Sequence, residues 1–108
     1  MEQVQREFLL SFWKAQILQK AACSHVYGLE IIQTLQKQGY QLSPGTLYPI
    51  LQRMEQTGWL TSQRAAVDGK MRRSYQITAC GRTALRRVRR ALTELHREIV
   101  RRNNAFVD

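Results

Sequence analysis

Cysteines, prolines and acidic residues are all scarce in this 108-residue chain. The two cysteines, Cys23 and Cys80, stand 57 positions apart and form no CxxC pair. Only His25 and His96 could join them as metal ligands, which is poor zinc spacing, so no metal and no other cofactor is expected. Both cysteines read as small buried residues, with a redox role as the open alternative. No apolar run approaches the roughly 20 residues that cross a bilayer. The polar N-terminus lacks the apolar h-region of a signal peptide. The chain therefore reads as soluble and cytoplasmic, with no membrane partner. Catalytic groupings are missing too: there is no pair of carboxylates, no nucleophile beside a base, no Gly-rich phosphate loop and no metal cluster. An enzyme is thereby disfavoured. No internal repeat or low-complexity segment interrupts the chain.

The shortage of acids leaves eight Asp and Glu against 17 Lys and Arg, a formal charge of +9 and a pI of about 10.4. Clustered cations at high pI point to a polyanionic partner. The imbalance is uneven. Residues 1–70 carry seven cations against five acids, and residues 71–108 carry ten against three. A solvated cationic surface is the plain alternative.

Residues 2–22 contain neither Gly nor Pro. Val4, Phe8, Leu9, Phe12, Trp13, Gln16, Ile17 and Lys20 recur at helical spacing, widened by Leu10, Leu18 and Ala21. So broad a face implies that the first helix meets both its own domain and something else. In particular, Phe8, Phe12 and Trp13 exceed what one domain can cover. A second helix is expected over 25–38, with Ser24 as its N-cap, Leu29, Ile32 and Leu35 on the buried face and Ile31 near its edge. Gly39 supplies the stop.

After a short connection, Ser43 stands as N-cap and Pro44 takes the first helical position, where a missing N–H costs nothing. A third helix follows over about 44–57. Leu47, Ile50, Leu51 and Met54 fall at i, i+3, i+4 and i+7 and face the core, and Gly58 ends the helix. Residues 59–64 and 72–78 read as strands of a hairpin turning at Asp68-Gly69, with Tyr75 and Ile77 on its buried face. Thr78 caps a last helix over about 79–103, and Gly81 lets that helix approach the sheet. Leu85, Val88, Leu92, Leu95 and Ile99 then trace an a/d seam at alternating spacings of three and four. So long a narrow seam suits a second copy of the chain. Folding back onto the first helix is the alternative.

The expected class is mainly α with a small β-hairpin (α+β). A helix followed at once by a basic hairpin is the layout of a winged helix-turn-helix, whose helix enters a major groove while the hairpin touches the backbone beside it. Residues 1–78 would form that unit, with helix 1 also serving dimerisation. Residues 79–108 would form a dimerisation helix and short tail. Gln52 could pair bidentately with adenine, Arg53 could bind guanine or a phosphate, and the Tyr48 hydroxyl could donate to a phosphate. A core role bridging helix 3 to the hairpin is the other reading of Tyr48. Arg64, Lys70, Arg72 and Arg73 on the hairpin suit phosphate or minor-groove contact, which sets affinity more than sequence choice. His25 and Tyr27, near the start of helix 2, could reach the flanking backbone.

Several runs resemble the PadR family of bacterial transcriptional regulators. They are Tyr27-Gly28-Leu29-Glu30-Ile31, Leu42-Ser43-Pro44-Gly45-Thr46-Leu47-Tyr48-Pro49-Ile50-Leu51 and Glu55-Gln56-Thr57-Gly58-Trp59-Leu60. Tyr75-Gln76-Ile77-Thr78 followed by Gly81 is similar to that family's second wing strand and helix start. Tyr27-Gly28-Leu29 departs from the commoner His-Gly-Tyr. The resemblance spans about residues 8–92 and is to the short form with a single C-terminal helix. It implies a homodimeric repressor that binds a roughly palindromic double-stranded DNA operator and leaves it when a small-molecule effector of unknown identity or another signal arrives. It also implies that Ser43, Thr46, Tyr48 and Pro49 lie in the groove. Dimerisation would use Phe8 and Phe12 with Leu85, Val88, Leu92, Leu95 and Ile99. Trp13, Trp59, Phe8 and Phe12 either line an effector cavity near that interface or are core. A protein-interaction module built on the same scaffold is the competing function. An RNA-binding sheet is a weaker one, because only Tyr75 supplies an aromatic among the sheet's cations.

Overall fold

A computed structural model describes residues 3–105, with side chains described for residues 6–102. Val4, expected on the first helix's stripe, and the tail at 106–108 lie outside these described parts. Four helices and three strands follow in the order α1 (Gln3–Cys23), β1 (Val26–Tyr27), α2 (Gly28–Lys37), α3 (Pro44–Gln56), β2 (Leu60–Val67), β3 (Lys70–Ile77) and α4 (Ala79–Ala105). The sheet is antiparallel with strand order β1-β3-β2. The α+β winged-helix layout is therefore present, with one more strand than the expected hairpin.

That strand corrects the start of α2. Val26 and Tyr27 pair with Tyr75 and Ser74 instead of entering the helix. The Tyr27 N–H donates to the Glu30 carboxylate at 2.9 Å, so the N-cap is Tyr27 and not Ser24. The helix also buries a different face from the expected one. Gly28, Ile31, Ile32 and Leu35 now form the i, i+3, i+4, i+7 face and are buried, whereas Leu29 is 45% exposed. The expectation of Leu29 inside and Ile31 at the edge is reversed, because pairing of Val26 and Tyr27 with β3 fixes how the helix approaches the domain.

Helix α3 keeps its expected start, and Leu47, Leu51 and Met54 are buried with Ile50 packed against them. Ser43 is the N-cap by position, but its hydroxyl lies 3.4 Å from that of Thr46 and does not cap the helix. Gly39 and Gly58 adopt positive φ just past α2 and α3, as helix stops do. The hairpin is longer than expected. Asp68 (φ 52°) and Gly69 (φ 76°) are both left-handed, which is the type I′ geometry whose twist matches that of paired strands. Pairing therefore runs to Val67↔Lys70 at the turn itself.

One core joins all four helices and the sheet. Trp13, Ile17, Leu18 and Ala21 enter it from α1, and Leu60, Tyr75 and Ile77 enter from the sheet. Each fully buried aliphatic side chain contributes roughly 1.5–3 kcal/mol of transfer free energy. Trp13 is covered by its own domain, its ring meeting Tyr40 edge-on at 5.6 Å, which corrects the expectation that it exceeds the domain's reach. Trp59 packs against the same core, whereas Phe8 and Phe12 are exposed, so the four aromatics do not share one environment. Cys23 and Cys80 are both exposed, which overturns their reading as buried residues. Cys23 ends α1 and Cys80 lies in the first turn of α4, each on the outer side of its helix end.

The start of α4 is held tightly. The Gly81 N–H donates to the Thr78 hydroxyl at 2.9 Å. A Cβ on Gly81 would collide with the Trp59 carbonyl oxygen and come within 2.7 Å of Ile77 Cγ1. Leu85 is 5% exposed and belongs to the chain's own core, so it is not part of a free seam. Beyond it α4 leaves the domain. Val88 is half-buried, Arg89 Nε donates to Gln19 of α1 at 3.0 Å, and every described residue from Ala91 to Arg102 is exposed. The radius of gyration is 16.1 Å, against about 13 Å for a compact chain of this length. The projecting helix accounts for the excess.

Candidate nucleic-acid interface

The exposed side of α3 follows from its buried side. With Leu47, Leu51 and Met54 turned inward, Tyr48, Pro49, Gln52 and Arg53 are left on the surface. Ser43 is exposed just before the helix and Thr46 is half-buried in its first turn. Pro49 sits inside the helix on the open side, where losing the N–H that would bond Gly45 costs least.

The hairpin, or wing, is fastened beside this helix. Ser62 of β2 donates to the Glu55 carboxylate of α3 at 2.8 Å. Within the wing Arg64 lies opposite Arg73, and Arg72 lies opposite Ala65. Arg64 and Lys70 are exposed, while Arg72 and Arg73 are half-buried. Among the described residues the only ion pairs are Arg97–Glu94 and Arg102–Glu98, both on α4. The four wing cations and Arg53 are thus free of carboxylate partners among those residues, and their field is directed at solvent.

Between the start of α2, helix α3 and the wing lies a cleft of about 470 Å³. Tyr27, Tyr48 and Tyr75 line it together with Arg64, Arg72 and Arg73. Leu29 and Met71, 45% and 67% exposed, add an apolar rim. Tyr48 is 41% exposed, so it is not a core tyrosine. Its ring lies directly over Gly28, where a Cβ would come within 2.7 Å of Tyr48 Cε1 and Oη. The absent side chain at 28 is what lets the ring lie there. Burial raises the Tyr75 phenol above its ordinary pKa, and the nearby Arg73 guanidinium opposes that rise.

The structure thus gathers Tyr48, Arg64, Arg72 and Arg73 around one cleft, and leaves Gln52 and Arg53 farther along the open face of α3. Lys70 is out by the turn. Sequence reasoning did not assign Gly28, Leu29 or Met71 to this surface; Leu29 was expected in the core. Met71 was findable: strand period two puts it on the face of Arg73 and Tyr75. Gly28 was not, because no local pattern says which ring will lie across it.

The possible interface at the other end of the molecule is apolar. Leu92, Leu95 and Ile99 are 39%, 53% and 49% exposed along α4, with Val100 beside them. Phe8 and Phe12 are bare on α1. Among the described residues no helix is long and apolar enough to cross a membrane.

Comparisons with known proteins agree with this architecture. Residues 17–87 match the family described as "Transcriptional regulator PadR-like family". The transcriptional regulator Rv3488 of Mycobacterium tuberculosis is 47% identical over 95 residues, which are 88% of this chain and 89% of that protein. Among solved structures, a PadR-like transcriptional regulator from Bacillus cereus superposes with a TM-score of 0.79 at 26% identity, covering 94% of this chain and 98% of that one. A PadR-like transcription factor from Bacteroides fragilis gives 0.78 at 23% identity, covering 93% and 98%, and speaks to the fold alone.

Proposed function

The chain belongs to the PadR-like family of transcriptional regulators, and from that premise we propose that it is a cytoplasmic homodimeric repressor. It binds a pseudo-palindromic operator in double-stranded DNA and leaves it when an effector arrives. The observation that carries this reading is the pairing of surfaces on one side of the domain. The polar face of α3 is open next to a wing whose cations have no carboxylate partners among the described residues.

In this account α3 lies in the major groove. Gln52 pairs with adenine and Arg53 with guanine or a phosphate, while Thr46 and Pro49 fit against base edges. Ser43, the Tyr48 hydroxyl and the first N–H groups of α3 hold a backbone phosphate. Arg64, Lys70, Arg72 and Arg73 neutralise phosphates along the wing, which makes binding strongly salt-dependent. Residues 1–78 do this work, with the core continuing through Leu85. The rest of 79–108 joins two chains: Val88, Leu92, Leu95 and Ile99 pack on their counterparts, and Phe8 and Phe12 widen the contact. Two-fold symmetry then sets two recognition helices about one DNA turn, or a multiple of it, apart.

Binding to the DNA upstream of the chain's own gene tests the reading, against a scrambled duplex and across several salt concentrations. Selective, salt-sensitive binding at two chains per site is expected. Absence of binding at low salt would favour a protein-interaction module built on the winged-helix scaffold.

A further inference from the structure

A carboxylate stands at the foot of the basic wing. Glu55 lies in the last turn of α3, half-buried, and its Oε2 accepts from the Ser62 hydroxyl of β2 at 2.8 Å. Ser62 faces the same side of the hairpin as Arg64, two residues on, and as Tyr75, directly opposite. Arg73 in turn lies opposite Arg64. Burial raises the pKa of the Tyr75 phenol, Arg73 opposes that rise and Glu55 adds to it, so both charges stand near one ring. A carboxylate so placed is expected to pair with a guanidinium. Among the described residues, however, the ion pairs are those on α4 alone. The difference lies in the donor. A half-buried hydrogen bond to an ionised oxygen outweighs an exposed ion pair, which water and salt screen. Without that donor the long Glu55 side chain would turn to the nearest cation. A guanidinium taken in this way is lost to a phosphate.

We propose that Ser62 is a positioning residue whose hydroxyl holds the Glu55 carboxylate off Arg64 and Arg73, and so keeps both guanidinium groups open to phosphate. The effect on DNA rests on the DNA-binding reading above, whereas the hold on the carboxylate does not. The two residues are therefore coupled: loss of the hydroxyl matters only while Glu55 carries a charge to release.

The test is a double-substitution cycle in the full-length protein. Ser62→Ala should weaken operator binding about fivefold per chain at about 0.15 M salt and lower the salt slope by about one, as loss of one phosphate contact does. In the Glu55→Gln background the same substitution should change neither. Ser62→Thr keeps the hydroxyl and should bind as the wild type does. Ser62→Val, of the same shape as Thr but without the hydroxyl, should behave like Ser62→Ala. It replaces Ser62→Ala if thermal melting shows that Ser62→Ala does not fold. A readout without DNA accompanies the cycle. The side-chain Nε–H resonances of Arg64 and Arg73, followed by NMR, should shift in Ser62→Ala and return when Glu55→Gln is added. If they do so while the wild-type protein ignores DNA, the hold on Glu55 stands and the repressor reading falls. Equal loss of operator affinity in both backgrounds would make Ser62 a plain strut between α3 and the wing, and overturns the proposal. So does an operator affinity, or an arginine spectrum, that Ser62→Ala leaves unchanged.

Discussion

Helices α3 and α4 are both amphipathic, yet they turn opposite faces to water. In α3 the apolar side is buried in its own domain, and Tyr48, Pro49, Gln52 and Arg53 are left outside. In the outer part of α4 no described residue covers the apolar side, and Leu92, Leu95 and Ile99 stand open among arginines. A helix with its polar face free can be read by a charged, hydrogen-bonding polymer. A helix with its apolar face free gains most from another apolar surface. On the function proposed above, the difference divides the labour of one small domain between a face that selects DNA and a face that brings a second copy to it. The same α4 holds both regimes. Leu85 is core and Leu92, two turns later, is bare.

The strongest way to break the comparison is to spoil the bare face. Leu92→Glu should give a monomer by sedimentation and weaken operator binding by about 100-fold or more, because the second half-site no longer binds as part of one unit. Tight operator binding by a monomeric Leu92→Glu protein would sink the dimer argument. Leu85→Ala sharpens the contrast within the helix. It should lower unfolding free energy by about 2–5 kcal/mol in urea titrations while the protein that remains folded still dimerises. On α3, Gln52→Ala should cost about 1–3 kcal/mol of discrimination at one base pair without altering stability or assembly, read by binding to single-base operator variants.

The smallest effect is expected with pH. Tyr75 favours its neutral form in the fold, so its folded pKa lies above the unfolded value. Its contribution is fully present below about pH 10 and fades as pH rises through the folded value. Urea midpoints should therefore fall above about pH 10, and Tyr75→Phe should flatten that fall.

Most of this fold was legible because its signals are local. Pro44 at a helix start, Asp68-Gly69 at the turn and Thr78 three residues before Gly81 each act through the nearest backbone. The i, i+3, i+4, i+7 spacing of Leu47, Ile50, Leu51 and Met54 did the same for α3. Two misreadings came from contacts distant in sequence. Pairing of Val26 with Tyr75 pulled the first residues of α2 into the sheet and turned Leu29 outward. Likewise, Leu85 reads as the first residue of a uniform seam until the chain's own core is seen to enclose it. The residues of the proposed DNA surface were readable one by one. Their gathering around a single cleft was not, since it depends on the ring of Tyr48 lying over Gly28.

The most direct test of this division between the two faces is the mass of the complex formed with upstream DNA, measured by sedimentation for wild type and for Leu92→Glu. Two wild-type chains are expected on one duplex, and a monomer that no longer forms a stable complex is expected when the seam is charged. A single wild-type chain on the duplex, or an undiminished complex with Leu92→Glu, would contradict it.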